Sequence, residues 1–102
     1  MNILKIYTSA ISSFGIDSQL VVLIEEMSEL TKEITKIIRG KGVYINIIEE
    51  IADVKIMLDQ LSLIMEINGN ENYKNDINAM KNKKIQRLKD LLDEKNNQLK
   101  IF

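Results

Sequence analysis

Carboxylates at a repeated spacing are the residues of this chain best suited to do chemistry. Glu26 and Glu29 stand three residues apart, and Glu50 and Asp53 repeat that interval further along. Residues three apart lie on one face of an α-helix, so each pair can present its two carboxylates together. Carboxylate oxygens are ligands for hard divalent cations such as Mg²⁺ or Mn²⁺. The spacing therefore suggests a cation site shared by two helices that pack against each other.

The residue types that are missing narrow the chemistry further. The 102 residues include no His and no Cys. This excludes an imidazole base, a thiol nucleophile, disulfides and thiolate zinc sites. A di-iron bundle built on Glu-x-x-His motifs is excluded for the same reason. Any catalysis must use carboxylates, hydroxyls, amides, lysine or arginine.

The composition is that of an ordinary folded protein. Hydrophobic residues make up 45% and charged residues 28%, and the formal net charge is -1. This balance argues against a dedicated nucleic-acid or membrane-surface binder. No apolar run is long enough to span a membrane, and the N-terminus lacks a secretion signal, so we expect a cytoplasmic protein. The length fits a single domain, residues 1–102, whose small core would gain stability from self-association.

Apolar residues spaced three and four apart predict four helices. We expect Asp17 or Ser18 to cap the second helix, and Gly40 and Gly42 to end it. The polar C-terminal end is expected to fray. The predicted fold class is all-α, a helical bundle. The predicted helices cover residues 2–14, about 18–39, about 46–67, and 73 into the last ten.

The angular positions of the acids can be read from the helix period. On the second helix, Glu26, Glu29 and Glu33 follow one flank of the apolar stripe, and Glu25 points away from it. On the third helix, Glu50 lies on the same flank as Glu26 does on the second. The predicted core stripes are Leu20, Leu23, Met27, Leu30, Ile34, Ile37 and Ile38 on the second helix, and Ile47, Ile51, Val54, Leu58, Leu61 and Met65 on the third.

The third helix is apolar on more than one side. Met57 and Ile64 lie on the side that carries Glu50 and Asp53, away from the predicted core stripe. A monomer would leave part of this surface in water. We therefore expect it to pack against another helix or another subunit.

Two interpretations of the acids are open on these grounds. Acid pairs on helices commonly do no more than keep a surface solvated. Carboxylates that face one another, however, repel and raise one another's pKa values unless a cation lies between them. The matched offset of the two pairs favours neither interpretation decisively.

The segments around the acids resemble a known family. "EEMSEL" and "EEIADV" are similar to the ExxE…ExxD signature of the MazG-like, all-α nucleoside triphosphate pyrophosphohydrolases, especially the small phage and Firmicute forms. The likeness extends through "QLVVLIEEMSELTKEITKIIRGK", "NIIEEIADVKIMLDQL" and "KNKKIQRL". It implies a four-helix, MazG-like bundle completed by oligomerisation into a homodimer or homotetramer. It also implies Mg²⁺ held by Glu26, Glu29, Glu50 and Asp53, and hydrolysis of a (d)NTP to the (d)NMP and pyrophosphate.

Roles for individual residues follow from this resemblance and from the lack of histidine. Glu29 is the first choice for the general base and Glu33 the second. Gln19 and Gln60 carry amides that could hydrogen-bond a base edge. Because the chain has no Trp, its base recognition must differ from that of relatives that use tryptophan. The expected phosphate-binding side chains are Lys83 or Lys84 with Arg87, and also Lys36 or Arg39.

Two other functions are compatible with the sequence. One is a non-catalytic helical interaction or regulatory module, in which the acids serve solubility alone. The other is a sibling activity of the same superfamily, dUTP or phosphoribosyl-ATP hydrolysis, which would use the same acids.

Overall fold

The computed structural model describes residues 1–101, whose regular structure is entirely α-helical. The all-α prediction is confirmed, with four helices and no strand in this range. No helix within it is both long and apolar enough to cross a membrane. The prediction that the C-terminal end frays includes Phe102, which lies outside the described residues. The helices are α1 (Ile3–Phe14), α2 (Ile16–Ile38), α3 (Tyr44–Ile67) and α4 (Tyr73–Ile101).

The chain divides into two compact units. The first, Met1–Gly69, contains α1, α2 and α3, and the second begins at Asn70 and contains α4. The assignment of residues 1–102 to a single domain stays a prediction.

A single glycine separates α1 from α2. Gly15 has φ 90°, a conformation that glycine adopts without steric cost, and it serves both as the C-cap of α1 and the N-cap of α2. The expectation that Asp17 or Ser18 caps α2 is wrong, because the turn is complete at Gly15 and the helix has already begun at Ile16. Asp17 lies in the first turn of α2, where its negative charge interacts favourably with the positive end of the helix dipole.

Helices α2 and α3 form an antiparallel hairpin across a short loop, residues 39–43. Their contact is the most extensive between helices in the first unit, and α1 packs against both. The Tyr7 hydroxyl of α1 donates a 3.3 Å hydrogen bond to the Asp59 carboxylate of α3. In the loop, Gly40 has φ 74°. Helix α3 begins at Tyr44, two residues before the predicted start.

The buried faces of the hairpin differ from the predicted core stripes. Most of the predicted stripe on α2 is exposed, including Met27, Ile34 and Ile38, and so are Ile51 and Leu58 on α3. At 100° per residue, the buried side chains centre on the flank that carries the acids. Apolar periodicity could not identify this face, because α3 is apolar on more than one side. The buried side chains are Gln19, Leu23 and Glu33 on α2, and Val54, Met57, Gln60 and Ile64 on α3.

In the loop of the hairpin, a side chain at Gly42 is expected to clash with Ile37. A Cβ added at Gly42 would lie 2.5 Å from Cγ1 and 3.0 Å from Cα of Ile37. We expect Gly42→Ala to lower the free energy of unfolding by about 1–3 kcal/mol, the usual cost of overpacking. Urea unfolding would measure it, with Lys41→Ala at the neighbouring exposed position as the control. Equal stability of the two variants would show that the loop relaxes freely.

Candidate metal centre

Three carboxylates converge between the two helices of the hairpin. Glu26 comes from α2, and Glu50 and Asp53 come from successive turns of α3. One oxygen of each lies within 4.8 Å of the others. The structure thus brings together three of the four acids that the sequence assigned to a cation. An all-oxygen, anionic set of this kind suits Mg²⁺ or Mn²⁺.

The electrostatics of this cluster are unfavourable when all three acids are ionised. Burial raises the pKa of Glu26, and the nearby charges of Asp53 and Glu50 raise it further. Burial also raises the pKa of Glu50, followed by the charges of Asp53, Glu29 and Glu33. The site therefore concentrates negative charge in a partly desolvated place, which a divalent cation would offset.

Glu29 and Glu33 occupy different environments on α2. Glu29 is exposed, and although its charge acts on Glu50, it does not belong to the group of three. Glu33 is 8% exposed, and its Oε1 accepts a 3.1 Å hydrogen bond from Lys36 Nζ. Lys36 is thus paired with an acid, where the sequence suggested a phosphate contact. The i, i+3 spacing of these two residues was the available signal for the pair.

Two carboxylate oxygens in the hairpin are buried without a partner. They are Oε2 of Glu33 and Oε2 of Glu50. A buried acceptor without a donor is costly and calls for a specific explanation, such as an ion. These oxygens are consistent with a cation bound between α2 and α3.

The glutamines considered for base recognition are both buried in the hairpin. Gln19 is on α2, seven residues before Glu26, and Gln60 is on α3, seven residues after Asp53. Seven residues are about two helical turns, so both lie on the acid-bearing face, toward the open end of the hairpin. The Gln60 Oε1 atom is buried without a hydrogen-bond partner.

Of the predicted phosphate-binding residues, Arg39 is exposed at the C-cap of α2 in the first unit, and three others lie in the second unit. Lys83, Lys84 and Arg87 are exposed on α4. Lys84 borders an open apolar surface of that helix. Their participation in a site with the acids stays a prediction.

The arrangement in the first unit can hold a divalent cation and has an exposed carboxylate, Glu29, beside it that can accept a proton. These are requirements of metal-assisted hydrolysis of a phosphoric anhydride.

The chain matches no protein-family model, no curated protein and no solved structure.

Proposed function

We propose that this protein is a Mg²⁺-dependent nucleoside triphosphate pyrophosphohydrolase, which converts a (d)NTP to the (d)NMP and pyrophosphate. The observation that carries the proposal is the convergence of Glu26, Glu50 and Asp53 at one point between α2 and α3. The resemblance to the MazG-like ExxE…ExxD signature supports the substrate class. Nucleoside triphosphates are abundant in the cytoplasm, where we expect the protein to act.

The proposed reaction breaks the anhydride between the α- and β-phosphates. A water oxygen bonds to one phosphorus of this anhydride while that phosphorus loses the bridging oxygen, and the proton of the water passes to a carboxylate. Glu26, Glu50 and Asp53, with Glu29 as the fourth acid of the signature, would hold Mg²⁺, which would neutralise the phosphate charge and make the water more acidic. Glu29 is exposed beside the cluster, which suits the acceptor of that proton.

The resemblance also supplies candidates for the substrate contacts. Lys83 or Lys84 with Arg87 would bind phosphate oxygens through charge-assisted hydrogen bonds. Gln19 would hydrogen-bond the base edge. Because Gln19 is buried, a base could reach it only if the neighbouring side chains moved aside.

Self-association is part of the proposal. Met27, Ile34 and Leu58 leave an apolar surface exposed on the hairpin, and its burial would contribute about 25 cal/mol per Å². We propose that a second copy covers this surface, in a homodimer or homotetramer.

A single lysine substitution on the exposed apolar surface tests the prediction that the protein forms an oligomer. Leu58→Lys is expected to shift the protein to a smaller species in size-exclusion chromatography with light scattering, because a lysine there would have to be desolvated at the interface. Glu49→Lys introduces the same side chain at an exposed polar position of α3 and should leave the mass unchanged. A wild type that is monomeric at high concentration would refute this part of the proposal.

The activity is tested by measuring pyrophosphate release from a panel of canonical and modified (d)NTPs with Mg²⁺. The panel includes dUTP, and phosphoribosyl-ATP is tested in parallel, so that the sibling activities are separated. We expect release of pyrophosphate from at least one nucleotide and none in the presence of EDTA. Absence of release from every substrate would exclude the proposed function.

A further inference from the structure

Helix α4 carries an apolar stripe that is exposed along its length. The side chains of residues 74–98 are all exposed. At 100° per residue, the apolar ones that lie within about 80° of Leu88 are Ile77, Met80, Ile85, Leu91 and Leu92. Lys81 and Lys84 border this stripe, and their aliphatic stems can extend its apolar surface while the ammonium groups stay in water. Because most of the stability of a helix comes from packing of its apolar face, we expect another helix to cover the stripe.

The charges of α4 change sign along the helix and indicate what covers the stripe. Residues 74–89 contain six basic side chains and one acid, whereas residues 90–94 contain three acids and no base. An anionic membrane or nucleic acid would attract the first segment but repel the second. A second copy of α4 in the antiparallel orientation would place the basic segment of each copy beside the acidic segment of the other. The parallel orientation would place like charges together, which costs free energy.

Arg87 and Glu94 are the charged side chains best placed to pair across such a contact. At 100° per residue they lie about 100° and about 120° from Leu88, on the same flank of the stripe. The two-fold axis of an antiparallel pair is perpendicular to both helices, so it brings the same flank of the two copies together. Neither side chain forms an ion pair within the described part of the chain, so each is available to the other copy.

The register that pairs these two residues also brings the leucines of α4 together. The midpoint of positions 87 and 94 lies beside Leu91, so the two-fold axis passes there. Leu88, Leu91 and Leu92 of both copies would surround this axis. Burial of the leucines would supply the affinity, and the ion pairs would set the orientation.

We propose that α4 of one chain packs antiparallel against α4 of a second copy, with the apolar stripes in contact and Arg87 of each copy paired with Glu94 of the other. This surface differs from the hairpin surface that contains Leu58, and it does not depend on the proposed enzymatic activity. All variants below are therefore made in the Leu58→Lys protein, in which the hairpin surface no longer associates.

Charge reversal tests the ion pair. Arg87→Glu would face Glu94 with a like charge, so we expect it to raise the Kd of association by at least about 10-fold. The double variant Arg87→Glu, Glu94→Arg restores opposite charges and should return the Kd to within about 3-fold of its starting value. Sedimentation equilibrium measures the Kd values, and circular dichroism verifies that the variants are helical. A double variant as weak as Arg87→Glu would overturn the proposed pairing.

Nitroxide labels on the outer face of α4 test the orientation without touching the stripe. The chain has no Cys, so single cysteines introduced by Gln86→Cys and Ala79→Cys can be labelled specifically. Both positions are exposed and lie about 160–180° from Leu88. In the proposed register, equivalent labels are separated along the helix axes by about 13.5 Å at position 86 and about 34.5 Å at position 79. Pulsed electron paramagnetic resonance should therefore give a distance at least about 10 Å longer for Ala79→Cys.

Two results of the distance measurement would overturn the proposal. A parallel pair would give equal distances at the two positions, and α4 helices that do not associate would give no dipolar coupling. Coupling that is present in labelled chains with Leu58 intact but absent in Leu58→Lys would show that the hairpin surface alone holds the copies together. These outcomes are read without nucleotide, so they are independent of whether the protein releases pyrophosphate.

Discussion

Glu50→Gln is expected to lower the rate of pyrophosphate release by at least about 100-fold, since even residues that only orient metal ligands are worth 10–100-fold. Glu50 provides one oxygen to the three-acid cluster and interacts electrostatically with both Glu29 and Glu33. The amide of glutamine has nearly the same size but carries no charge. It therefore binds Mg²⁺ more weakly without disturbing the packing of α3.

The matched control for this variant is the neighbouring residue. Glu49→Gln makes the same chemical change at an exposed position that points away from the cluster, and it should keep the wild-type rate. Steady-state release of pyrophosphate, measured over a range of Mg²⁺ concentrations, checks both variants. Wild-type activity in Glu50→Gln would show that the cluster is not the catalytic centre.

Mg²⁺ is expected to stabilise the folded protein strongly. A ligand that binds only the native state at 100 times its Kd contributes about 2.7 kcal/mol. For a domain of this size, that corresponds to a rise in Tm of about 10–20 °C. Thermal unfolding with Mg²⁺ and with EDTA measures the difference, and Glu26→Gln should remove most of it. Glu25→Gln, its exposed neighbour, is the control and should show the full increase.

The stability of the metal-free protein should also depend on pH in a defined direction. The pKa values of Glu26 and Glu50 are raised above the ordinary 4.5, so the folded state binds their protons more tightly than the unfolded state. Their contribution to stability is complete below that value and is lost as the pH rises through the raised pKa values. In EDTA, we expect these two groups to make the protein less stable at about pH 7 than at about pH 5.

Paired variants isolate this contribution from that of the other acids. The double variant Glu26→Gln, Glu50→Gln should lose less stability than the wild type over the same rise in pH. The double variant Glu25→Gln, Glu49→Gln should behave like the wild type. Urea unfolding at several pH values measures the free energies. Identical pH dependence in all three proteins would show that the two carboxyls are not crowded in the folded state.

The sequence by itself determined the helices and the content of the site. Apolar residues at intervals of three and four placed both ends of α1, α2 and α3 and the start of α4 within about two residues, because this periodicity reflects the geometry of one helix. The same geometry placed Glu26 and Glu29 near one face of α2, and Glu50 and Asp53 near one face of α3. These are local properties that short stretches of chain carry.

Only the tertiary structure decided which face of each helix is buried. Met27 and Leu58 were expected in the core but are exposed, although Leu23 and Val54 of the same stripes are buried. The buried faces are shifted toward the acid-bearing flanks. Periodicity could not select between the faces of α3, because that helix is apolar on more than one side. The pairing of Glu33 with Lys36 is local to α2, but the burial of Glu33 depends on how α2 and α3 pack, which is a property of two segments together and of neither alone.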